Sequence, residues 1–288
     1  MKKLALALGG GSARGLAHIG FLKVIEKNEI PISRIAGCSM GAMVGGAYCL
    51  YQNIKDVEKL SNNFINNPFF KEFNFDDFAS IDKKPKNWKE KVRIAMGRVK
   101  IGLELFKTLG NPSIFDEETM EKIYNTYPDV MVEDLGIPFY ATSNDIQTGE
   151  EVILNEGSLL KIIRASSALP GYFPPVKIKN HLLVDGGVSN LVPTNVFEKN
   201  HNEIIVGVDV SQPIKRNTKL NSGIEIMQQA ESIREYHLAQ LKMSNADKIV
   251  SCKMNGYSWA DFGKSKEIIA AGEKAGREFV KWYNQNHR

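Results

Sequence analysis

The sequence predicts an α/β fold in which helices pack against a mostly parallel central sheet. Short apolar, β-branched runs alternate with segments whose apolar residues recur every three to four positions, as strands and helices require. A glycine-rich turn separates the first predicted strand from the first predicted helix. Because strand–helix–strand units of this length join parallel strands, the order of the elements also predicts the strand direction.

The N-terminal part contains the first such unit. Residues 3–8 form the first predicted strand, and a helix follows from about Leu16 to Lys27. Ile32–Ser39 is the second predicted strand, and Ala42–Tyr51 is a helix rich in small residues. The apolar run of the first strand is too short for the roughly 7–15 residues of a signal-peptide core. No stretch approaches the ~20 apolar residues of a membrane span.

The C-terminal part continues the alternation of strands and helices. The β-branched run Ile204–Val210 suits a central strand. The other predicted elements are strands at Ile137–Thr142, Val152–Leu154, Leu182–Val184 and Asp247–Cys252, and helices at Leu159–Ser166, 222–243 and 265–285.

Residues 61–118 interrupt this rhythm and predict a helical cap inserted into a single domain of residues 1–288. A basic amphipathic helix is expected over 87–109, either packed over the core or lying in a membrane interface. Six phenylalanines crowd the segment before it: Phe64, Phe69, Phe70, Phe73, Phe75 and Phe78.

Composition excludes some function classes. The 37 basic and 33 acidic residues leave a net charge of +4, and no Lys/Arg-rich run predicts nucleic-acid binding. Cys38, Cys49 and Cys252 have no metal-ligand spacing, and neither a zinc motif nor a calcium loop occurs. We therefore expect no metal or cofactor. The expected location is the cytoplasm, with peripheral contact at the inner membrane surface.

Gly37-Cys38-Ser39-Met40-Gly41 fits G-x-S-x-G at the junction of a predicted strand and helix. A sharp turn there would expose the hydroxyl of Ser39, and flanking glycines would avoid steric clashes. The N-terminus of the next helix would favour a developing oxyanion. The pattern predicts a nucleophilic serine.

The segment Gly9–Gly15 follows the first strand and can direct several backbone amides at a ligand. Acyl transfer needs such donors for its tetrahedral intermediate. A dinucleotide-binding turn is the competing interpretation, but its middle glycine is replaced by Ser12 and no acidic residue is clearly placed for the ribose. A Walker loop is excluded because no Gly-Lys-Ser/Thr follows.

A base for the serine is not obvious among the histidines, which are His18, His181, His201, His237 and His287. Asp185-Gly186-Gly187 instead follows an apolar strand, where its carboxylate would lie at the ligand-binding edge of an α/β sheet. Taken alone, the same Asp-Gly pair could form an ordinary turn.

Together these segments resemble the patatin-like phospholipase family, in particular its compact bacterial members. The resemblance rests on motifs that occur in the order of the family and cover most of the chain outside 61–118. They are Gly9–Gly15 with Leu16–Gly20, Gly37–Gly41, Ala165–Pro175, Asp185–Gly187, and Asp261-Phe262 with Ile268–Gly272.

The resemblance implies a three-layer α/β/α sandwich and a lipid acyl hydrolase that uses a Ser–Asp dyad. Ser39 matches the nucleophile of the family, and Asp185 matches its base. The implied oxyanion donors are the backbone amides around Gly10, Gly11 and Ser12, with Arg14 at the basic position of that loop. The supporting glycines are Gly15, Gly37, Gly41, Gly186 and Gly187.

Several alternatives remain open at this stage. A Ser-His-Asp triad could use His201 or His237 as its base. The acyl group could pass to an acceptor other than water, or the fold could serve as a non-catalytic lipid-binding protein. The expected partner is a lipid or acyl ester, whose identity and cut position the sequence does not specify. The oligomeric state is likewise undetermined.

Overall fold

An eight-stranded mixed sheet lies at the centre of the computed structural model, which describes residues 2–72, 108–214, 220 and 223–287. The strands are β1 (Lys3–Leu8), β2 (Ile32–Gly37), β3 (Phe139–Asp145), β4 (Glu151–Leu154), β5 (Val176–Ile178), β6 (His181–Asp185), β7 (Glu203–Asp209) and β8 (Lys248–Ser251).

The strand order is β5-β6-β3-β2-β1-β7-β8, and β4 pairs with β3 away from this path. In this spatial order, neighbouring strands from β3 through β2, β1 and β7 to β8 are parallel. This confirms the predicted mostly parallel α/β sheet. The pairings β3–β4, β3–β6 and β5–β6 are antiparallel. Short connections join β3 to β4 and β5 to β6, and these favour antiparallel neighbours.

Helices cover the sheet. They are α1 (Ala17–Lys27), α2 (Met40–Tyr51), α3 (Ile54–Ile65), α4 (Pro68–Glu72), α5 (Glu117–Tyr124), α6 (Leu159–Ser166), α7 (Gly223–Lys242) and α8 (Ser265–His287). Of these, α3, α4 and α5, like strand β5, were not predicted from the sequence.

Strand β1 shows how the core divides into two layers of side chains. Leu4, Leu6 and Leu8 enter the larger cluster, which α1, α2 and α8 complete. The intervening Ala5 and Ala7 enter a smaller cluster with Val192, Phe197 and the C-terminal end of α7. Since alternate residues of a strand point to opposite faces, β1 is buried on both sides.

The register of β3 brings two strand ends together. Ala141 pairs with Gly37 at the end of β2, and Ser143 pairs with Asp185 at the end of β6. Because Ala141 and Ser143 are two positions apart, β3 holds the C-terminal ends of β2 and β6 close to each other. The residues that follow both ends are therefore neighbours in space.

The predicted insertion is described only at its ends. Phe64 on α3 packs against Phe70 on α4 and Tyr124 on α5, with ring centroids 4.8 and 5.3 Å away. Phe73, Phe75, Phe78 and the amphipathic helix expected over 87–109, up to residue 107, lie outside the described residues. Among the helices that the structure describes, none is long and apolar enough to span a membrane.

Candidate active site

Ser39 occupies a strained turn between β2 and α2. Its backbone has φ 52° and ψ −122°, a conformation that non-glycine residues adopt only where the surroundings enforce it. A Cβ on Gly41 would lie 2.1 Å from the carbonyl oxygen of Leu8, and one on Gly37 would lie 2.5 Å from the Cα of Ala42. Both flanking glycines are thus required by close backbone approach.

Asp185 ends β6 and is only 6% exposed. Its Oδ1 accepts hydrogen bonds from the backbone amide of Gly187 at 2.8 Å and from the thiol of Cys38 at 3.7 Å. Burial raises the pKa of Asp185 to about 6, although hydrogen bonds from Gly187, Ser39 and Cys38 lower it in part. The carboxylate is therefore more basic than an ordinary aspartate and lies beside the Ser39 side chain.

Asn144 on β3 holds the turn that carries Asp185. Its amide nitrogen donates to the carbonyl oxygens of Asp185 and Gly186, at 3.0 and 3.1 Å. Its Oδ1 accepts a hydrogen bond from the hydroxyl of Ser189 at 2.5 Å. This residue was not predicted from the sequence. The available signal was the run of four polar residues, Thr142–Asp145, directly after an apolar stretch, because buried amides need partners.

The glycine-rich loop lies against the serine turn. A Cβ on Gly10 would be 3.2 Å from the Sγ of Cys38 and 3.5 Å from the Cβ of Ser39. The Gly10 amide donates to the carbonyl of Leu191 at 2.9 Å, so this amide, one of the three expected oxyanion donors, is already engaged. For the amides of Gly11 and Ser12, no acceptor occurs within the part of the chain that the structure describes.

Arg14 lies within this loop, and its Nε donates to the carbonyl oxygen of Gly11 at 3.4 Å. Burial lowers the pKa of Arg14, while the nearby carboxylates of Glu235 and Asp209 oppose that shift. The guanidinium therefore adds positive charge to the cavity beside the two free amides.

None of the five histidines, all of them among the described residues, hydrogen-bonds to Ser39 or Asp185. His18 is fully buried, and its Nε2 lies 2.7 Å from the Gly9 carbonyl, so it supports the glycine-rich loop. Burial lowers the pKa of His18 to about 4. His201 lies beside Lys2 and Lys3, near the N-terminal ends of β1 and β7. Ser39 lies at the opposite, C-terminal ends of the parallel strands.

The other histidines lie elsewhere on the surface. His237 is exposed and contacts the ring of Tyr236, with the ring centroids 5.6 Å apart. His181 Nδ1 contacts Asp145 at 2.8 Å, and His287 packs against Trp282. In none of these positions does the imidazole contact Ser39 or Asp185.

Ser39 and Asp185 open into a cavity of about 1100 Å³. One part of its wall is apolar and aromatic, formed by Met40, Met43, Phe64, Phe70, Met120, Ile123, Leu169, Tyr172, Phe173, Trp259 and Phe262. Another part is polar and includes Arg14, Ser211, Gln212, Gln229, Glu231, Ser232 and Glu235. This division fits a molecule with a long apolar part and a polar part.

Comparisons with known proteins identify the family of the chain. The profile of the family described as Patatin-like phospholipase matches residues 6–197. Neuropathy target esterase sws of Drosophila melanogaster is 33% identical over 211 residues, which are 72% of this chain and 13% of that protein. Its counterpart in Drosophila grimshawi is 34% identical over 194 residues, or 66% of this chain and 11% of that protein.

A solved structure shares the fold. VipD from Legionella pneumophila superposes with a TM-score of 0.56 at 14% identity, over 98% of this chain and 67% of VipD.

Proposed function

Because the chain belongs to the patatin-like phospholipase family, whose members are carboxylic ester hydrolases, we propose that it hydrolyses acyl esters of lipids with a Ser39–Asp185 dyad. One observation carries the proposal: Asp185, a buried carboxyl with a pKa raised to about 6, lies beside Ser39 on the wall of a largely apolar cavity. Residues 1–288 would form one hydrolase domain with an insertion at about 61–118.

In the first step, Asp185 accepts the proton of Ser39 while Oγ attacks the ester carbonyl carbon. The tetrahedral intermediate then collapses, the alkoxy group leaves, and Asp185 returns the proton to it. An aspartate with a normal pKa is a weak base at neutral pH, and burial of Asp185 reduces that mismatch. The product is an acyl-enzyme that water hydrolyses in the second step.

The oxyanion would be held by backbone amides of the glycine-rich loop. Gly11 and Ser12 line the cavity beside Ser39, and their amides have no acceptor among the described residues. Gly10 would contribute by letting the loop approach Ser39 closely, since its own amide is bound to Leu191. Preorganised donors of this kind stabilise charge that develops in the transition state.

The substrate would place its acyl chain along the apolar wall and its polar part near Arg14. Apolar burial favours the chain, and the guanidinium favours an anionic or polar group. The names of the family and of the Drosophila relatives, phospholipase and esterase, support a lipid ester.

We also propose a cytoplasmic protein that touches the inner membrane surface through residues 87–109. The described cysteines, Cys38, Cys49 and Cys252, are free thiols, which supports a reducing compartment. Flotation with anionic vesicles tests the membrane contact. Replacing the Lys and Arg residues within 87–109 with neutral residues should reduce the fraction of protein that floats. Absence of the wild-type protein from the floated fraction would remove this part of the proposal.

Covalent labelling tests the nucleophile. A fluorophosphonate probe should modify wild-type protein on Ser39, and Ser39→Ala should abolish the labelling. Ser33→Ala is the matched control, because Ser33 precedes the same turn on β2 but bonds the carbonyl of Leu4. Labelling that persists at full rate in folded Ser39→Ala would disprove the assignment of Ser39.

Turnover tests the base. Asp185→Asn should lower hydrolysis of a p-nitrophenyl acyl ester by about a thousandfold or more, because the amide cannot accept the proton of Ser39. His201→Asn and His237→Asn should keep turnover within about twofold, given their distance from the dyad. A loss of several orders of magnitude in either variant would favour a Ser-His-Asp triad instead.

A further inference from the structure

The segment Ser166–Ala168 connects both members of the proposed dyad. The Oγ of Ser166 accepts a hydrogen bond from the backbone amide of Ser39 at 3.0 Å. Two residues later, the carbonyl of Ala168 accepts one from the amide of Asp185 at 2.9 Å. Ser167 therefore lies between an attachment to the nucleophile and an attachment to the base.

Ser167 differs from its neighbours in having an unused hydroxyl on the cavity wall. The residue is 6% exposed and lines the cavity, and its buried Oγ has no hydrogen-bond partner among the described residues. Thr142 and Ser143 on β3 also carry unpaired buried hydroxyls near Asp185, but neither belongs to the cavity wall. Since buried polar atoms are normally paired, the Ser167 hydroxyl is suited to bind something inside the cavity.

A second polar group lies next to it. The phenol of Tyr124 also lines the cavity and lies close to Ser167 and Asp185. Burial raises the pKa of Tyr124 to about 12, so the phenol is a neutral donor at physiological pH. The two hydroxyls form a small polar patch near Asp185 in a wall that is otherwise apolar.

We propose that Ser167 Oγ binds the water molecule that hydrolyses the acyl-enzyme. The inference rests on the proposed function, since it assigns a residue to the second half of that reaction. A bound water needs two or more polar partners, and Asp185 and Ser167 supply them on the wall of the cavity that Ser39 also lines. Tyr124 can donate to Ser167 and leave its lone pair directed at the water.

One hydrogen of the water passes to Asp185 while its oxygen attacks the acyl carbonyl carbon. The other hydrogen points to Ser167 Oγ and remains on the oxygen. The bond from the carbonyl carbon to Ser39 Oγ then breaks, Oγ regains the proton from Asp185, and the fatty acid leaves.

The hydrogen bond to Ser167 Oγ would distinguish water from alcohols as acceptors of the acyl group. An alcohol has one hydroxyl hydrogen, which Asp185 takes, so an alcohol loses nothing when Ser167 is absent. Water uses its second hydrogen at Ser167 and should lose orientation. The Ser167 hydroxyl therefore favours hydrolysis over acyl transfer.

Product partitioning tests the proposal whichever step limits the rate. The full chain is incubated with a p-nitrophenyl acyl ester and a fixed concentration of methanol, and the ratio of methyl ester to free acid is measured. Ser167→Ala should raise this ratio about tenfold, the effect of losing one oriented hydrogen bond. Ser167→Gly, as a second variant, should raise it similarly.

Ser143→Ala is the control, because it removes an unpaired buried hydroxyl that does not line the cavity. Its ratio should equal that of the wild type. An unchanged ratio in Ser167→Ala, with fluorophosphonate labelling of Ser39 at the wild-type rate, would overturn the assignment of Ser167. Equal p-nitrophenol release by wild type and Ser39→Ala would instead disprove the proposed function, so the two failures are distinguishable.

Discussion

The backbone amide of Ser39 donates a 3.0 Å hydrogen bond to the Oγ of Ser166, a fully buried side chain at the end of α6. This bond joins two segments that are 127 positions apart in the sequence. Because Ser39 has an unfavourable positive φ, its conformation depends on such outside contacts. Ser166 thus supports the turn from which the proposed nucleophile projects.

Ser166→Ala should destabilise the protein by about 1–2 kcal/mol, because it leaves the partly buried amide of Ser39 without its acceptor. We also expect slower fluorophosphonate labelling, since the serine turn would relax. Thermal unfolding and labelling rates measure the two effects.

Ser158→Ala is the matched control for this prediction, because Ser158 caps the other end of α6 through a bond to the amide of Lys161 at 3.1 Å. It should cost about 1 kcal/mol without slowing the labelling. Equal labelling rates in Ser166→Ala and the wild type would contradict a supporting role for Ser166.

Activity should fall as the pH drops through about 6, because Asp185 must be ionised to act as a base and its pKa is raised to about 6. The acidic limb of the pH profile of kcat/KM, recorded with a soluble acyl ester, measures this fall in activity. Asp145→Asn should leave the limb in place. Asp145 is also buried and near the end of its strand, but hydrogen bonds from Gln147 and His181 lower its pKa.

The raised pKa of Asp185 also predicts that the stability of the fold decreases as the pH rises, whereas activity increases. The folded state holds the proton of Asp185 more tightly than the unfolded state, so this group stabilises the fold below pH 3.8. That contribution is lost as the pH rises through about 6. Asp185→Asn should therefore be inactive yet more stable than the wild type at pH 7, by about 1–3 kcal/mol. Lower stability of Asp185→Asn at pH 7 would contradict this.

Gly41→Ala should prevent correct folding or cost more than about 4 kcal/mol, because its Cβ would lie 2.1 Å from the carbonyl oxygen of Leu8. Backbone on both sides fixes this position, so the clash cannot relax cheaply. Gly46→Ala, on the same helix, is the control. Its nearest contacts would be side-chain atoms alone: methyls of Leu159 and Ile163, at 3.0 and 3.4 Å, and the ring of Phe139 at 3.4 Å. Soluble yield and thermal unfolding should separate the two variants clearly.

Much of the fold could be predicted because it depends on local pattern. Strand β1 and helix α2 follow from apolar periodicity and from the glycine-rich turns before the helices. Strand β5, the antiparallel direction of β4 and β6 relative to β3, and the helices α3 to α5 were missed. These segments are short or amphipathic. Their positions depend on contacts between residues that are distant in the sequence, such as the pairing of Ser143 with Asp185.

The site could be predicted only as a set of motifs. Ser39 and Asp185 stand in recognisable sequence patterns, whereas the hydrogen bonds of Ser166 and Asn144 join segments that lie far apart in the sequence. The engagement of the Gly10 amide by Leu191 likewise depends on a distant loop. Residues that support a site through tertiary contacts carry little sequence signal.

The aromatic end of the cavity should limit the size of the acyl chain. Phe70 lines the cavity and packs edge-on against Phe262, with ring centroids 5.0 Å apart, and against Phe64 at 4.8 Å. Phe70→Leu shortens this wall, so longer chains should gain apolar contact. We expect the ratio of kcat/KM for long over short p-nitrophenyl esters to rise about tenfold.

Phe21→Leu is the control for the loss of packing, because Phe21 is fully buried against Phe279 and does not line the cavity. Both variants should lose about 1–2 kcal/mol of stability, but only Phe70→Leu should change the chain-length ratio. If the ratio stays constant in a folded Phe70→Leu variant, the acyl chain does not reach this wall. The aromatic end would then hold the polar part of the substrate or remain unoccupied during turnover.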